Sequence, residues 1–361
     1  MTNKQEQILN SINKLFQNDI NNYIFIYTPP KVGSTTLVSS LRISLGKSYN
    51  IIHLHDEVML SVLTGINNIT INEITFYLSS IGKNVYVIDV YRTPIERKMS
   101  EFFEKISPYH FNNSEENINK YNIKRISNRF NKLFPHIENG DHYFDKYNIN
   151  EFIIPFDFEK KYTLQTINNI NYIKLRLCDS QMWNNILSLI FQTEIVLISD
   201  YKTEAKIIGE IYNNFKNEYI LPINYFEHIK QCKYLNFYYS KQERKDYLQI
   251  WSSKISEVCV PYTPEEYTFY VNLYMENQHI NDIHIEHYID NGCFCKYCSL
   301  KRREIFFKAK NGETQFEKIT HSEVINEVYQ NKNKNLLKIV NKIISGKKYT
   351  PKQFNINISN K

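Results

Sequence analysis

Three groups of residues in this sequence have types and spacings suited to holding an anion and moving a proton. Lys31, Gly33 and the hydroxyl run Ser34, Thr35 and Thr36 stand together in PPKVGSTT, residues 29–36. The lysine brings a full positive charge and the hydroxyls bring donors. A glycine-containing turn that opens a helix aims backbone N–H groups and the helix dipole at a bound anion. Arg92, Arg97 and Ser100 recur in RTPIERKMS, residues 92–100. There a strand-end arginine and a serine two turns into the next helix can converge on one anion, while Arg97 can instead be structural, paired with Glu101 or Glu104. His53 and His55 flank Leu54. A neutral histidine suits general-base work near pH 7, and Glu57 is a carboxylate alternative. Taken singly, each group also fits a bland reading: a βα turn with a surface lysine, a surface ion pair, a histidine satisfied by a strand-end hydrogen bond. The order and proximity of the first two favour a site.

The elements that must position these residues follow from the hydrophobic pattern. Residues 23–27, YIFIY, read as a buried strand, which Pro29 and Pro30 cannot continue. Leu37, Val38, Leu41 and Leu45 then share one helical face, and Gly46 suits the helix end. Residues 50–55, NIIHLH, form a short strand with His53 and His55 on one face. Residues 58–64 and 71–81 read as helices. Residues 85–91, VYVIDVY, are an apolar strand interrupted only by Asp89. Thr93 suits an N-cap, Pro94 the first helical position and Glu96 a capping box. Ile95, Met99, Phe102, Phe103 and Ile106 form the apolar stripe of that helix, with Arg97, Glu101 and Glu104 opposite and Ser100 on the flank. Residues 172–177 and 194–199 read as further strands, and residues 203–215 and 241–255 as helices. Strand, turn and helix repeated in this way describe a doubly wound α/β fold.

The first loop is not the G-x-x-x-x-G-K-[ST] pattern, because Lys31 precedes the only glycine of the loop, Gly33. PPKVGSTT instead resembles the 5′-phosphosulfate loop, P-K-x-G-[ST]-T, of sulfotransferases, which use 3′-phosphoadenosine 5′-phosphosulfate (PAPS). That resemblance makes Pro30, Lys31, Val32, Gly33, Ser34, Thr35 and Thr36 donor-binding residues. R-x-P-x-x-R-x-x-S after a strand resembles the 3′-phosphate motif of the same proteins, which implies Arg92 and Ser100 on the 3′-phosphate. An H-x-H pair between the two motifs is similar to that of glycosaminoglycan 2-O-sulfotransferases, and implies His55 as base ahead of His53. His142 to Lys146, Phe156-Asp157, Lys174 to Arg176, YILPINY at 219–225, NFYYS at 236–240 and Trp251 resemble, in their order, the capsular-polysaccharide-synthesis family of sulfotransferase-like proteins. The likeness covers roughly residues 20–255. It implies a P-loop-NTPase-like three-layer α/β fold around a central parallel sheet. It also implies sulfuryl transfer from PAPS to a hydroxyl, with a carbohydrate acceptor, Lys31 stabilising the transferred charge and no metal required. Asp145 could then touch the acceptor or cap a helix, and Tyr238, Tyr239 and Trp251 could be core or a sugar platform. Two other readings stand beside this one. One is a nucleotide kinase or NTPase, with Asp89 as a Walker B aspartate. The other is a catalytically inactive sulfotransferase fold used for binding.

Composition sets the bounds. With 361 residues the chain can bury a sizeable core in one large or two smaller domains. Its 44 Lys and Arg against 38 Asp and Glu give a net charge of +6. That favours anionic ligands mildly and is too small and scattered to argue for nucleic acid. No apolar run reaches signal-peptide or transmembrane length, so a cytoplasmic protein without an integral membrane segment is expected.

We divide the chain into an N-terminal helix (1–18), an α/β domain (19–258) with a lid or acceptor-binding insertion at 107–160, and a C-terminal accessory segment (259–361) with a disordered end. The accessory segment carries Cys293, Cys295 and Cys298. With one of His279, His284 or His287, His287 being the preferred fourth ligand, they could form a structural Cys₃His zinc site. Reduced thiols or a disulfide are the alternatives.

Overall fold

The computed structural model describes residues 3–15, 19–111, 113–198 and 203–274, together with residues 301, 304, 323, 324 and 327. Cys293, Cys295, Cys298, His279, His284 and His287 lie outside the described residues. So does the C-terminal end.

In chain order, helix α1 (Asn3–Leu15) precedes strand β1 (Asn22–Tyr27) and helix α2 (Ser34–Leu45). Strand β2 (Asn50–Leu54) leads to α3 (Glu57–Thr64) and α4 (Ile71–Ser80), then β3 (Asn84–Tyr91) and α5 (Pro94–Glu104). A π-helical turn at Ile106–His110 opens the insertion, which holds α6 (Glu115–Ile118), α7 (Ile123–Leu133) and α8 (His142–Asp145). A hairpin of β4 (Tyr162–Ile167) and β5 (Ile170–Arg176) returns the chain to the sheet, followed by α9 (Trp183–Phe191) and α10 (Gly209–Glu218). The rest is β6 (Leu221–Pro222), α11 (Ile223–Lys230), α12 (Lys233–Tyr238), α13 (Lys241–Ser252), β7 (Ile255–Ser256) and α14 (Pro264–Tyr274).

The central sheet has five strands in the order β2-β1-β3-β5-β4. All neighbours are parallel except β4, which runs antiparallel to β5 at the edge. Alternation along the strands sorts the two faces. Tyr23, Phe25, Tyr27, Ile52, Leu54, Val85 and Val87 pack under α1, α3 and α4. Ile24, Ile26, Ile51, Ile88, Val90, Ile173 and Leu175 pack under α2 and α9. Helices therefore cover both faces of a mostly parallel sheet, as the sequence pattern suggests. A third core joins α5 and α7 to α10, α11 and α13.

Four details differ from the sequence reading. Residues 194–198 form no strand, because the N–H groups of Val196 and Ile198 donate to the Ser44 and Ser40 hydroxyls on α2, at 3.1 and 2.9 Å. The sheet gains β4 instead, through a two-residue turn in which Asn168 and Asn169 both have left-handed φ, 52° and 61°. The expected helix at 203–215 starts only at Gly209 and runs to Glu218. Thr93 makes no side-chain cap on α5, and the Glu96 carboxylate completes no capping box but accepts from Tyr247 Oη at 2.9 Å and Trp251 Nε1 at 3.1 Å.

Residues 259–274 also join the main body. Tyr270 lies in the same core as α5 and α7, and Tyr262 N–H donates to the Lys132 carbonyl at 3.0 Å.

Candidate active site

The site is built at the C-terminal ends of β1, β2 and β3, where open parallel sheets place ligands. Thr28, one residue past β1, fixes the base of the loop. Its N–H donates to the Leu54 carbonyl at 3.2 Å, and its Oγ1 accepts from Val90 N–H at 3.1 Å. The loop then turns through two left-handed residues, Lys31 at φ 66° and Gly33 at φ 89°. A side chain at Gly33 would be strained at this φ, and its Cβ would crowd Leu177 Cδ1 at 2.7 Å and Trp183 at 3.2 Å. Gly33 is also the N-cap of α2, so no side chain caps this helix and its first turn holds no acidic residue. The leading N–H groups are thus left for a ligand. Val32 is buried in the core under α2, so only its backbone can serve the loop. Ser34 is buried as well, whereas Pro30, Thr35 and Thr36 are half-buried.

Arg92 reaches this loop. Its NH1 donates to the Lys31 carbonyl at 2.8 Å, which joins the second motif to the first. Ser100 is not brought out with it. It is 4% exposed, inside α5.

The Lys31 ammonium is ion-paired with the Glu104 carboxylate at the end of α5. Burial first, then the positive charges of Lys206 and Arg92, pull Lys31 down to about 7. The carboxylate in contact with it works the other way, and the ion pair is the arrangement present. Glu104 was not apparent from sequence, where it reads as part of a solvent face. Arg97 does not pair with Glu101 or Glu104 as a surface residue. It is buried and donates from NH1 to the Gly140 carbonyl at 2.7 Å.

His53 and His55 point from β2 and its end toward the α2 side of the sheet, with ring centroids 4.8 Å apart. His53 is buried at 1% exposure. His55 is half-buried, and its Nδ1 lies 2.8 Å from the Thr28 carbonyl. A carbonyl only accepts, so Nδ1 carries the proton and Nε2 is the basic atom. The His55 carbonyl in turn accepts from His142 Nε2 at 2.7 Å. Glu57 opens α3, where Asp56 is the N-cap and accepts from Met59 N–H at 2.8 Å.

Asp89 lies apart from this group. It faces the other side of the sheet, fully buried, and accepts from Lys174 Nζ at 2.6 Å and from Tyr143 N–H at 2.9 Å. Lys174, also fully buried, bridges to Asp141 at 2.5 Å. Burial, with the Asp89 charge added, pushes the Asp141 acid upward against the pull of Lys174. Asp89 is therefore part of a buried ionic network that ties the insertion to the sheet.

Other residues of the family resemblance bond or pack within the protein. Both Asp145 carboxylate oxygens accept from Tyr234 Oη, and one also accepts from Asp141 N–H at 2.8 Å. Arg176 forks onto Glu243 at 3.0 Å and donates to the Tyr238 carbonyl at 2.8 Å. Tyr238 and Trp251 are buried, and Tyr239 packs beside Tyr91 and Arg176.

The chain matches no protein family, no curated protein and no solved structure in direct comparison. Among the described residues no cluster of histidine, cysteine or carboxylate side chains could hold a metal ion. No described helix is long and apolar enough to cross a membrane.

Proposed function

We propose that the chain is a sulfotransferase that takes its sulfuryl group from PAPS and passes it to a hydroxyl, with a carbohydrate as the acceptor class. The observation that carries this reading is a convergence. Arg92 bonds to the loop at Lys31, and His55 bonds to the loop at Thr28, so the two anion-binding motifs and the candidate base meet at one end of the sheet.

PAPS would supply an activated sulfuryl group on a phosphate leaving group. Lys31, once released by Glu104, and the N–H and hydroxyl groups of Ser34, Thr35 and Thr36 would hold the negative charge on both sides of the breaking bond. Arg92 would grip the 3′-phosphate while keeping the loop in shape. Ser100 is the weaker part of that grip, since it is buried in α5. His55, with its Nδ1 proton fixed by Thr28, would accept the acceptor hydroxyl proton at Nε2 as the hydroxyl oxygen bonds to sulfur.

The kinase reading is less well supported. It needs Asp89 near the loop, and Asp89 is enclosed with Lys174 on the opposite sheet face. Sulfate transfer from labelled PAPS to a panel of glycans tests the proposal. Incorporation that disappears in Lys31→Ala supports it. Hydrolysis of ATP without any sulfate transfer contradicts it.

A further inference from the structure

A second feature rich in positive charge lies away from the loop. A cavity of about 660 Å³ opens beside α7, lined along that helix by Asn122, Lys124, Arg125, Asn128, Arg129 and Lys132. No carboxylate is among its described lining residues, and none of them belongs to the donor loop. Arg125, Arg129 and Lys132 repeat at helical spacing, so they share one side of α7 over roughly 10 Å of its axis.

The cationic groups are held in place. The Arg125 guanidinium stacks 3.9 Å from the Tyr121 ring centre. Arg129 lies 5.3 Å from the Phe111 ring centre and donates to the His110 carbonyl at 2.8 Å. Lys132 Nζ is anchored on the Val260 carbonyl at 2.7 Å. A stacked guanidinium is pre-oriented, so it loses little freedom when it takes an anion.

We propose that this groove binds an anionic polysaccharide. The cations suit carboxylate or sulfate groups, and the exposed Asn128 amide can both donate to and accept from hydroxyls. Single-stranded nucleic acid fits less well. It needs open aromatic faces for base stacking, and Arg125 and Arg129 already stand over Phe111, Tyr121 and Tyr270. The choice of a carbohydrate rests on the sulfotransferase reading; the anion preference does not.

The test is calorimetric binding to the full chain of four probes: a heparin octasaccharide, a hyaluronan octasaccharide, a maltooctaose and a single-stranded DNA 12-mer. Heparin or hyaluronan should bind, more weakly as salt rises, and maltooctaose should not. Lys124 and Arg125 are exposed, so the double variant Lys124→Gln/Arg125→Gln should keep the fold, checked by circular dichroism. It should lose roughly tenfold or more in affinity for the anionic glycan and keep its affinity for 3′,5′-ADP. Glycan binding that is unchanged in this variant overturns the proposal, as does DNA binding as tight as that of either glycan, or binding of neither glycan. Wild-type protein that binds the glycan but not 3′,5′-ADP would support the groove and count against the donor site alone.

Discussion

Arg92 donates from NH1 to the main-chain carbonyl of Lys31 at 2.8 Å. Lys31 sits at φ 66°, a left-handed conformation that costs a residue with a Cβ about 1 kcal/mol or more. The arginine at the end of β3 thus secures the strained turn that begins at the end of β1. One side chain thus ties the second motif to the first loop.

Glu104 would compete with a donor bound at Lys31. Its carboxylate holds the ammonium that a donor sulfate or phosphate would need. We expect Glu104→Gln to tighten 3′,5′-ADP binding, by roughly fivefold, the scale of a partly exposed ion pair. Titration calorimetry measures this. Weaker binding in the variant would make Glu104 a supporting residue.

The two histidines separate by burial. His55→Ala should lower sulfuryl transfer by about 10²-fold or more and leave 3′,5′-ADP affinity nearly unchanged. His53 is buried against the sheet, so His53→Ala should act mainly on thermal stability. Transfer assays run alongside melting curves decide it. Wild-type turnover in His55→Ala, with loss in His53→Ala or Glu57→Ala, would reassign the base.

The buried network predicts a large stability effect. Lys174→Met leaves Asp89 and Asp141 side by side without their counter-charge, at a cost of about 3–5 kcal/mol. Adding Asp141→Asn should recover part of the loss. Urea unfolding gives the numbers, and a loss below about 1 kcal/mol would mean that the network is not closed to water.

His110 gives a pH dependence. It is buried, stacked on Phe102 and bonded to Tyr270 Oη, and burial with the charges of Lys105 and Arg129 lowers it to about 3 from 6.5. Between those values the unfolded chain binds a proton that the folded chain refuses. Stability should therefore fall as pH drops below about 6.5, by up to about 1.4 kcal/mol per unit from this group. His110→Phe should flatten that part of the profile. An unaltered slope in chemical unfolding from pH 7 to 5 would show that other groups set it.

The loop was legible in the sequence because its signals are local. PPKVGSTT between an apolar run and a helical stripe fixes both elements at once, and the sheet face of each strand residue follows from alternation. What was not legible depends on distant partners. Glu104 and Lys31 are far apart in the chain, and nothing near either residue announces their pairing. Glu96 has capping-box spacing, yet it is taken by Tyr247 and Trp251. Residues 194–198 have strand composition, but serine hydroxyls on α2 take the N–H groups of Val196 and Ile198. The β4–β5 hairpin is the exception. Its turn, Asn168-Asn169 between two alternating runs, is a local signal that the sequence reading passed over.

The most direct measurement is calorimetric binding of 3′,5′-ADP and 5′-AMP to the wild type and to Arg92→Ala. The wild type should prefer 3′,5′-ADP by roughly tenfold or more, the worth of a charge-assisted phosphate contact, and Arg92→Ala should abolish the preference. Equal affinity of the wild type for the two nucleotides, or binding of neither, would contradict a donor site built from Lys31 and Arg92.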